Sequence, residues 1–432
     1  MLRREVRMEQ NFARNTERPV QGRNRMVLGD GNYFSLDCYE TQLNNNVLVV
    51  GGSGCGKTRS VVSPNLLQAA GSYIISDPKG VLYRQYGKIL ERRGYKVRKL
   101  DFVHPEESCG YNFFRYIRTE QDILKTAHML VYGEDRSNVR ADPYWEQSAE
   151  VAVSAVISLL MEQDRDEQNL GRLLDVTSKL YMAESNEDGK HRLDRLFLTA
   201  GGFTKRQYRK FRVAPARTRN CTLATVLNKV GPFDTNELRK MMSRDETHIG
   251  SIGNEKTALF VIVSDTDRSM DRIANLFFTQ AMNELCRIAD LREGSYRLPV
   301  DVRFILDDFA TNVVVQDFPR MISSIRSRGI SVMLMIQAES QLMNAYGKDG
   351  STIIANCDSY LYMGGNDVET AEQVARRCGL PLEKILYMPV GSSWLFRRGQ
   401  SPVPCRNICL EEYERSLIRR KTRSARHGKG RV

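Results

Sequence analysis

The chain has 432 residues, with 64 Lys and Arg against 52 Asp and Glu (formal net charge +12), and is 41% hydrophobic and 27% charged. A length of this order holds about two to three domains, and the balance of apolar and charged residues excludes an intrinsically disordered chain. The basic excess is local: residues 1–25 carry +4, residues 201–219 carry +7 with no acid, and residues 411–432 carry +5, which leaves −4 on the remainder.

In chain order, residues 1–40 are polar and rich in Gly, Asn and Arg, and read as an irregular basic lead-in. Residues 46–50 (NVLVV) form a short apolar run of the kind found in a fully buried strand. A Gly-rich turn follows, then a helical stretch over 58–70. Residues 72–77 and 95–102 read as the next two strands, with a helix over 81–93 between them. Strands and helices alternating at this spacing predict an α/β fold with a mainly parallel central sheet. From about 120 to 250 the β-rich runs stop, and helical stretches over 145–163, 169–183 and 221–229 predict an all-α insertion. The strand pattern resumes at 257–265. A helix over 271–291, with an apolar stripe of Ile273, Leu276, Phe277, Met282, Leu285 and Ile288, precedes strands at 302–308, 331–337 and 358–363. Residues 394–398 and 403–407 suggest a terminal hairpin. The domain expectation is a discontinuous nucleotide-binding domain over 41–120 and 251–410, an all-α domain over 121–250, and a basic tail over 411–432.

The nine Cys are scattered without a CxxC pair, and the five His are dispersed. This argues against a disulfide framework or a structural zinc and for a reducing compartment. The Arg-rich start has no apolar core for a signal peptide. The longest apolar stretch, 151–161, is too short to span a bilayer. A soluble, cytoplasmic chain is the expectation.

Gly51, Gly52, Ser53, Gly54, Cys55, Gly56, Lys57 and Thr58 fit G-x-x-x-x-G-K-[ST], with a strand before and a helix after. Glycines let the backbone wrap a phosphate, and successive amides at a helix start bind its charge. Lys57 would reach the β- and γ-phosphates of ATP, and Thr58 would hold Mg2+. The apolar strand ending in Asp307-Asp308 supplies the second acidic element: Asp307 for the metal and Asp308 for the attacking water. The next strand ends in Gln337, where a sensor of the γ-phosphate stands in RecA-like motors. A polar strand cap is the competing reading. Arg326 and Arg328 are candidates for an arginine finger toward a neighbouring subunit, or for a solvated helix end. Lys79, in the turn Asp77-Pro78-Lys79-Gly80, is a further candidate at a strand's carboxyl end.

The order GGSGCGKT, SDPKG, DPYWEQSAE (142–150), ILDDFA (305–310), RSRGISVMLMIQAESQL (326–342) and NCDSYLYMGG (356–365) resembles the TraG-like coupling proteins of conjugation and type IV secretion, RecA-like P-loop motor ATPases related to the FtsK and HerA translocases. The resemblance spans about residues 45–410. It implies a motor domain interrupted by an all-α domain and a homo-oligomeric ring, a hexamer, with ATP at subunit interfaces. The ring would sit at the cytoplasmic face of the membrane, at the entrance of a secretion channel. It would recruit a relaxase with its single-stranded DNA and help drive it out. Members usually carry an N-terminal membrane anchor and none is legible here, so a truncated product, one half of a split gene, a soluble variant and a membrane-anchored partner chain are all open expectations. Asp308 stands where Glu is common, and Tyr111-Asn-Phe-Phe stands where members often have YNPL. Two competing functions stay open: a nucleotide-binding receptor or adaptor with little motor activity, and an FtsK-type translocase not tied to conjugation.

Lys205, Arg206, Arg209, Lys210, Arg212, Arg217 and Arg219 interleave with Phe203, Tyr208 and Phe211. Cations neutralise phosphates and aromatic faces stack on unpaired bases, so this segment is the candidate nucleic-acid contact. An amphipathic helix with its aromatics in the core is the equal alternative. The basic tail is a candidate for DNA or an anionic lipid surface.

Overall fold

The computed structural model describes residues 24–132, 142–184 and 187–417. Eleven strands occur in it: β1 (Arg25–Val27), β2 (Tyr33–Ser35), β3 (Val47–Val50), β4 (Ser72–Ser76), β5 (Lys96–Asp101), β6 (Thr257–Ile262), β7 (Val302–Leu306), β8 (Ile330–Ile336), β9 (Ser359–Tyr362), β10 (Ser392–Arg397) and β11 (Val403–Arg406). Nine of them form one sheet in the order β11-β10-β9-β3-β8-β7-β4-β6-β5. The pairs β3 with β8, β3 with β9, β7 with β8 and β4 with β7 are parallel, while β10 runs antiparallel to both β9 and β11. All residues of β3, β4 and β7 are buried. Strands covered on both faces read as unbroken apolar runs rather than alternating ones, which is why these segments stand out in the sequence.

By its contacts the chain divides into two units: Met1–Val97 with Ser251–Ala258 and Ile288–Val432, and Arg98–Gly250 with Leu259–Arg287. In the first, β8 lies between β3 and β7, so the strand leading to the Gly-rich turn and the strand ending in two carboxylates flank a third. The second holds helices Glu120–Tyr132, Pro143–Met161, Leu170–Ala183, Glu187–Thr199, Gly202–Arg212 and Ala216–Val230. The helix Pro143–Met161 is capped by Asp142, whose side chain accepts from the Tyr144 amide, and buries an almost continuous run from Ala149 to Leu160. Leu173, Leu174, Phe197, Tyr208, Leu223 and Val226 complete that core.

The lead-in expected to be irregular over 1–40 contains an ordered hairpin. β1 and β2 pair antiparallel, and the turn closes through Leu28 N–H to Asn32 O (3.1 Å) and Asn32 N–H to Gly29 O (3.1 Å). Met26, Val27 and Leu28 are buried. The Asn65 side chain exchanges hydrogen bonds with the Val27 backbone, and the Phe34 ring lies 3.7 Å from the Arg397 guanidinium. The signal was Asp30-Gly31 between two apolar runs, a hairpin turn dipeptide.

Candidate nucleotide-binding site

The site grows from the carboxyl ends of β3, β7 and β8, all within the first unit. After Val50 the chain turns through the Gly-rich loop. Gly54 (φ +77) and Gly56 (φ +88) adopt left-handed backbone that side chains resist. Gly51 is required by close approach instead: a Cβ there would lie 2.6 Å from Cys55 Sγ and 3.0 Å from Met363 Cβ. The loop is held from both sides, since Gly51 N–H donates to Ile336 O (3.1 Å) at the end of β8 and Gly52 N–H donates to Gly364 O (2.9 Å) just past β9. Lys57 is buried, and its ammonium donates to the carbonyls of Gly51 (2.5 Å) and Gly52 (3.1 Å). The following helix opens as a π-turn over Thr58–Val62 and continues as α-helix over Ser63–Gln68, which sets a helix N-terminus at the loop, the arrangement that binds phosphate.

Thr58 Oγ1 donates to Asp307 Oδ2 at 2.8 Å, joining the loop to the end of β7. Asp307 is 9% exposed. Burial raises its carboxyl above the usual carboxylate range, with the Thr58 hydroxyl and Lys57 opposing and the adjacent Asp308 adding to the rise. The two oxygens suit Mg2+, a hard cation that takes few protein ligands and completes its shell with water and substrate phosphates. Asp308 has φ 51 and Ala310 φ 64, so two non-Gly residues of this turn are left-handed. The turn is pinned by Phe309 N–H to Met335 O (2.9 Å) and by Thr311 and Asn312 N–H to Asp308 O (3.2 and 3.0 Å).

Gln337 is exposed at the end of β8. Its N–H donates to Gln341 Oε1 (2.7 Å), and Gln341 Nε2 donates to Thr311 Oγ1 (2.9 Å). One side-chain amide thus ties the Gln337 backbone to the turn carrying Asp308. Gln341 escaped the sequence reading. It lies inside a recognised segment, but nothing local marks it.

The turn after β4 and the segment before β8 carry further candidates. Asp77 is 2% exposed and caps the helix Val81–Glu91, accepting from Leu82 N (3.1 Å) and Tyr83 N (2.8 Å), and burial raises its carboxyl. Lys79, by contrast, is exposed in the turn at the end of β4. Arg326 and Arg328 precede β8 and therefore stand at the amino edge of the sheet, while the phosphate loop follows β3 at the carboxyl edge. Arg326 Nη2 donates to Cys38 O (2.9 Å), and Arg328 binds both oxygens of Asp290 (2.7 and 2.9 Å). The geometry does not bring either one to this subunit's phosphate loop.

The basic segment divides in the same way. Tyr208 and Phe211 are buried, and Tyr208 stacks on Phe197 with centroids 4.2 Å apart, so these rings are core rather than base-stacking surface. Arg219 is 6% exposed and holds both oxygens of Glu184 (2.8 and 2.7 Å); Arg212 reaches Glu184 (3.0 Å) and Asp194 (3.2 Å). Arg206, Arg209, Lys210 and Arg217 are exposed, Arg206 near Glu120 (3.3 Å), and Lys205 is half-buried. The basic ends over 1–23 and 418–432 lie outside the described residues, but the start of the expected tail is helical over 410–417 and buries Tyr413. Among the described residues, no helix is long and apolar enough to cross a membrane.

Comparison with known proteins adds the context. Residues 1–381 match the family model described as "Type IV secretory system Conjugative DNA transfer". The chain is 21% identical over 371 residues to a probable conjugal transfer protein TraG of Sinorhizobium fredii, covering 83% of this chain and 56% of that protein. It is also 21% identical over 390 residues to the type IV secretion system-coupling protein VirD4 of Bartonella henselae, covering 86% and 58%. The chain thus spans a little over half the length of these relatives. Among solved structures, the plasmid coupling protein TrwB in complex with ADP and Mg2+ superposes with a TM-score of 0.63 at 16% identity, covering 92% of each chain. VirB4 of Thermoanaerobacter pseudethanolicus gives a TM-score of 0.56 at 13% identity, covering 91% of this chain and 99% of that one. The α/β fold with a mostly parallel sheet is therefore the fold of TrwB. On the extent of the family match, the chain belongs to the conjugative DNA transfer family of type IV secretory systems.

Proposed function

We propose that the chain is the ATP-hydrolysing coupling protein of a conjugative type IV secretion system. The observation that carries this reading is the Thr58 Oγ1 to Asp307 Oδ2 hydrogen bond at 2.8 Å, which joins the two halves of a nucleotide site around a buried Lys57. Lys57 would exchange the carbonyls of Gly51 and Gly52 for the β- and γ-phosphates of ATP. Thr58 and Asp307 would hold Mg2+, which would neutralise phosphate charge. Asp308 orients the attacking water, and Gln337 contacts the γ-phosphate or that water. TrwB was crystallised with ADP and Mg2+ and with an ATP analogue, which supports the same ligands here.

In this reading the chain forms a hexameric ring at the cytoplasmic face of the membrane. It receives single-stranded DNA with its relaxase and passes it to the channel. Arg326 or Arg328 would complete a neighbour's site only after leaving its present partners. Lys57→Ala tests the reading: ATP turnover and DNA transfer should both be lost, and normal transfer by that variant refutes the motor. The adaptor reading draws on Asp308, shorter than the Glu common at that position. DNA-stimulated ATPase separates the two, because an adaptor binds DNA or relaxase without stimulation.

A further inference from the structure

Arg303 is the second residue of β7, paired in register with Tyr73 on β4 and Ser331 on β8. It is 7% exposed, and its hydrogen bond is a long one, Nε to Ser331 Oγ at 3.3 Å. Among the described residues it forms no ion pair. A guanidinium carries five N–H donors, and a charge taken out of water needs both a counter-charge and hydrogen bonds. Ser331 supplies one neutral acceptor.

Arg303 lines a cavity together with Cys38, Asn45, Arg297, Asp301 and Arg326. All of these belong to the first unit. Asp301 is the one carboxylate among them, and Arg297 takes its Oδ1 at 2.7 Å. Arg326 gives an N–H to Cys38 O, and Arg297 gives a second to Arg326 O at 3.4 Å. Burial holds the Cys38 thiol above its usual range, so it adds no negative charge. Among the lining side chains three guanidiniums stand against one carboxylate, with Asp37 near enough to Asp301 to act on it, and the bond to Ser331 is the one side-chain hydrogen bond of Arg303 among the described residues. The residues before β7 and β8 put this cavity at the amino edge of the sheet, away from the phosphate loop.

We propose that this cavity binds a small free oxyanion of the phosphate or sulfate class, with Arg303 and Arg326 as its principal donors. The anion neutralises the excess charge and pins the segments leading into β7 and β8, so the stability of the sheet depends on it by mass action. Charge-assisted hydrogen bonds from planar guanidiniums are the usual means of holding an oxyanion.

The test is calorimetric titration of the full chain with inorganic phosphate at constant ionic strength, comparing the native protein with Arg303→Met. Phosphate bound at the phosphate loop is common to both proteins and cancels, so the outcome does not depend on the nucleotide reading. The expected result is loss of one equivalent of binding in Arg303→Met, together with loss of the phosphate-dependent part of the melting temperature. Identical isotherms in the two proteins overturn the proposal. Should Arg303→Met not fold, Arg326→Gln serves, with at least a fivefold weaker affinity for the same equivalent expected; unchanged affinity in that variant overturns the proposal equally. Crystals soaked in selenate give the direct reading, with an anomalous peak within hydrogen-bond distance of Arg303, and a peak confined to the phosphate loop overturns it.

Discussion

Replacing Gln341 by Ala probes how the acidic turn is held. The substitution removes the acceptor of the Gln337 amide and the donor to Thr311 Oγ1. Each such bond contributes about 0.5–1.5 kcal/mol net. Gln337 is exposed and Thr311 half-buried, so water replaces part of the loss and the pair contributes about 1–2 kcal/mol. Asp308 and Ala310 are both left-handed, and each such residue stores about 1–3 kcal/mol of strain. The bridge is therefore comparable to the strain of one of the two residues it restrains, and without it the turn relaxes away from its present geometry. A barrier change of about 1.4 kcal/mol is tenfold in rate. Steady-state ATPase of Gln341→Ala should show kcat lowered about tenfold with KM for ATP within about twofold of native. Gln341→Glu should recover most of the rate, because its carboxylate still accepts from the Gln337 amide and the Thr311 hydroxyl can rotate to donate. Native kcat in Gln341→Ala refutes the reasoning. So does a rise in KM that accounts for the whole loss, which would place Gln341 in ground-state nucleotide binding instead.

Two further outcomes follow from buried charge. Asp307 has a carboxyl raised above its ordinary value of 3.8, mainly by burial, so folding favours its protonated form relative to the unfolded chain, and ionisation costs native stability above 3.8. Asp307→Asn keeps an acceptor for Thr58 and removes that charge. Thermal melts without nucleotide should show the variant more stable than native at pH 7, with the advantage vanishing as pH falls through the raised value toward 3.8, while Mg2+-dependent ATPase is lost; an advantage that persists at pH 3 contradicts this. In the helical unit, Glu184→Ala strands the buried Arg219 and should destabilise by about 3–5 kcal/mol. Replacing Arg206, Arg209, Lys210 and Arg217 together by Ala should leave melting nearly unchanged and flatten the log–log salt dependence of single-strand affinity by up to about 3. An unchanged slope shows that these cations do not touch DNA.

The parts of the site that could be read from sequence are those whose chemistry is local. The Gly-rich loop needs its two motif glycines at a fixed offset because Gly51 is closely approached by Cys55 and Met363 and φ at Gly56 is positive. The Asp307-Asp308 pair shows because it ends a run buried on both faces. Gln341 could not be found this way, since its role depends on Thr311 arriving from the turn after β7. The partners of the arginines are hidden for a related reason. Charge is visible in a sequence, but its partner is not: Asp290 is 38 residues from Arg328, and Glu184 is 35 from Arg219. The β1–β2 hairpin shows in the sequence only at its Asp30-Gly31 turn, because strands of three residues carry too little pattern to stand against their polar surroundings.

Strand β3 shares Val50 with Ile336 on one side and with Tyr362 on the other. Neighbouring strands lie about 4.8 Å apart, so the chain leaves the sheet at three adjacent points across about 10 Å, carrying Gly51, Gln337 and Met363. Register works here as a ruler shared by segments almost 300 residues apart in the gene. A one-residue slip in any of the three strands turns every buried side chain to the opposite face and displaces a corner of the site. Between β5 and β6 stand the helices from Glu120–Tyr132 to Ala216–Val230, whereas β3, β8 and β9 are tied residue to residue. Insertions and deletions therefore meet two regimes in one polypeptide: length can drift in the helical excursion, while in these three strands the residue count is as constrained as residue identity.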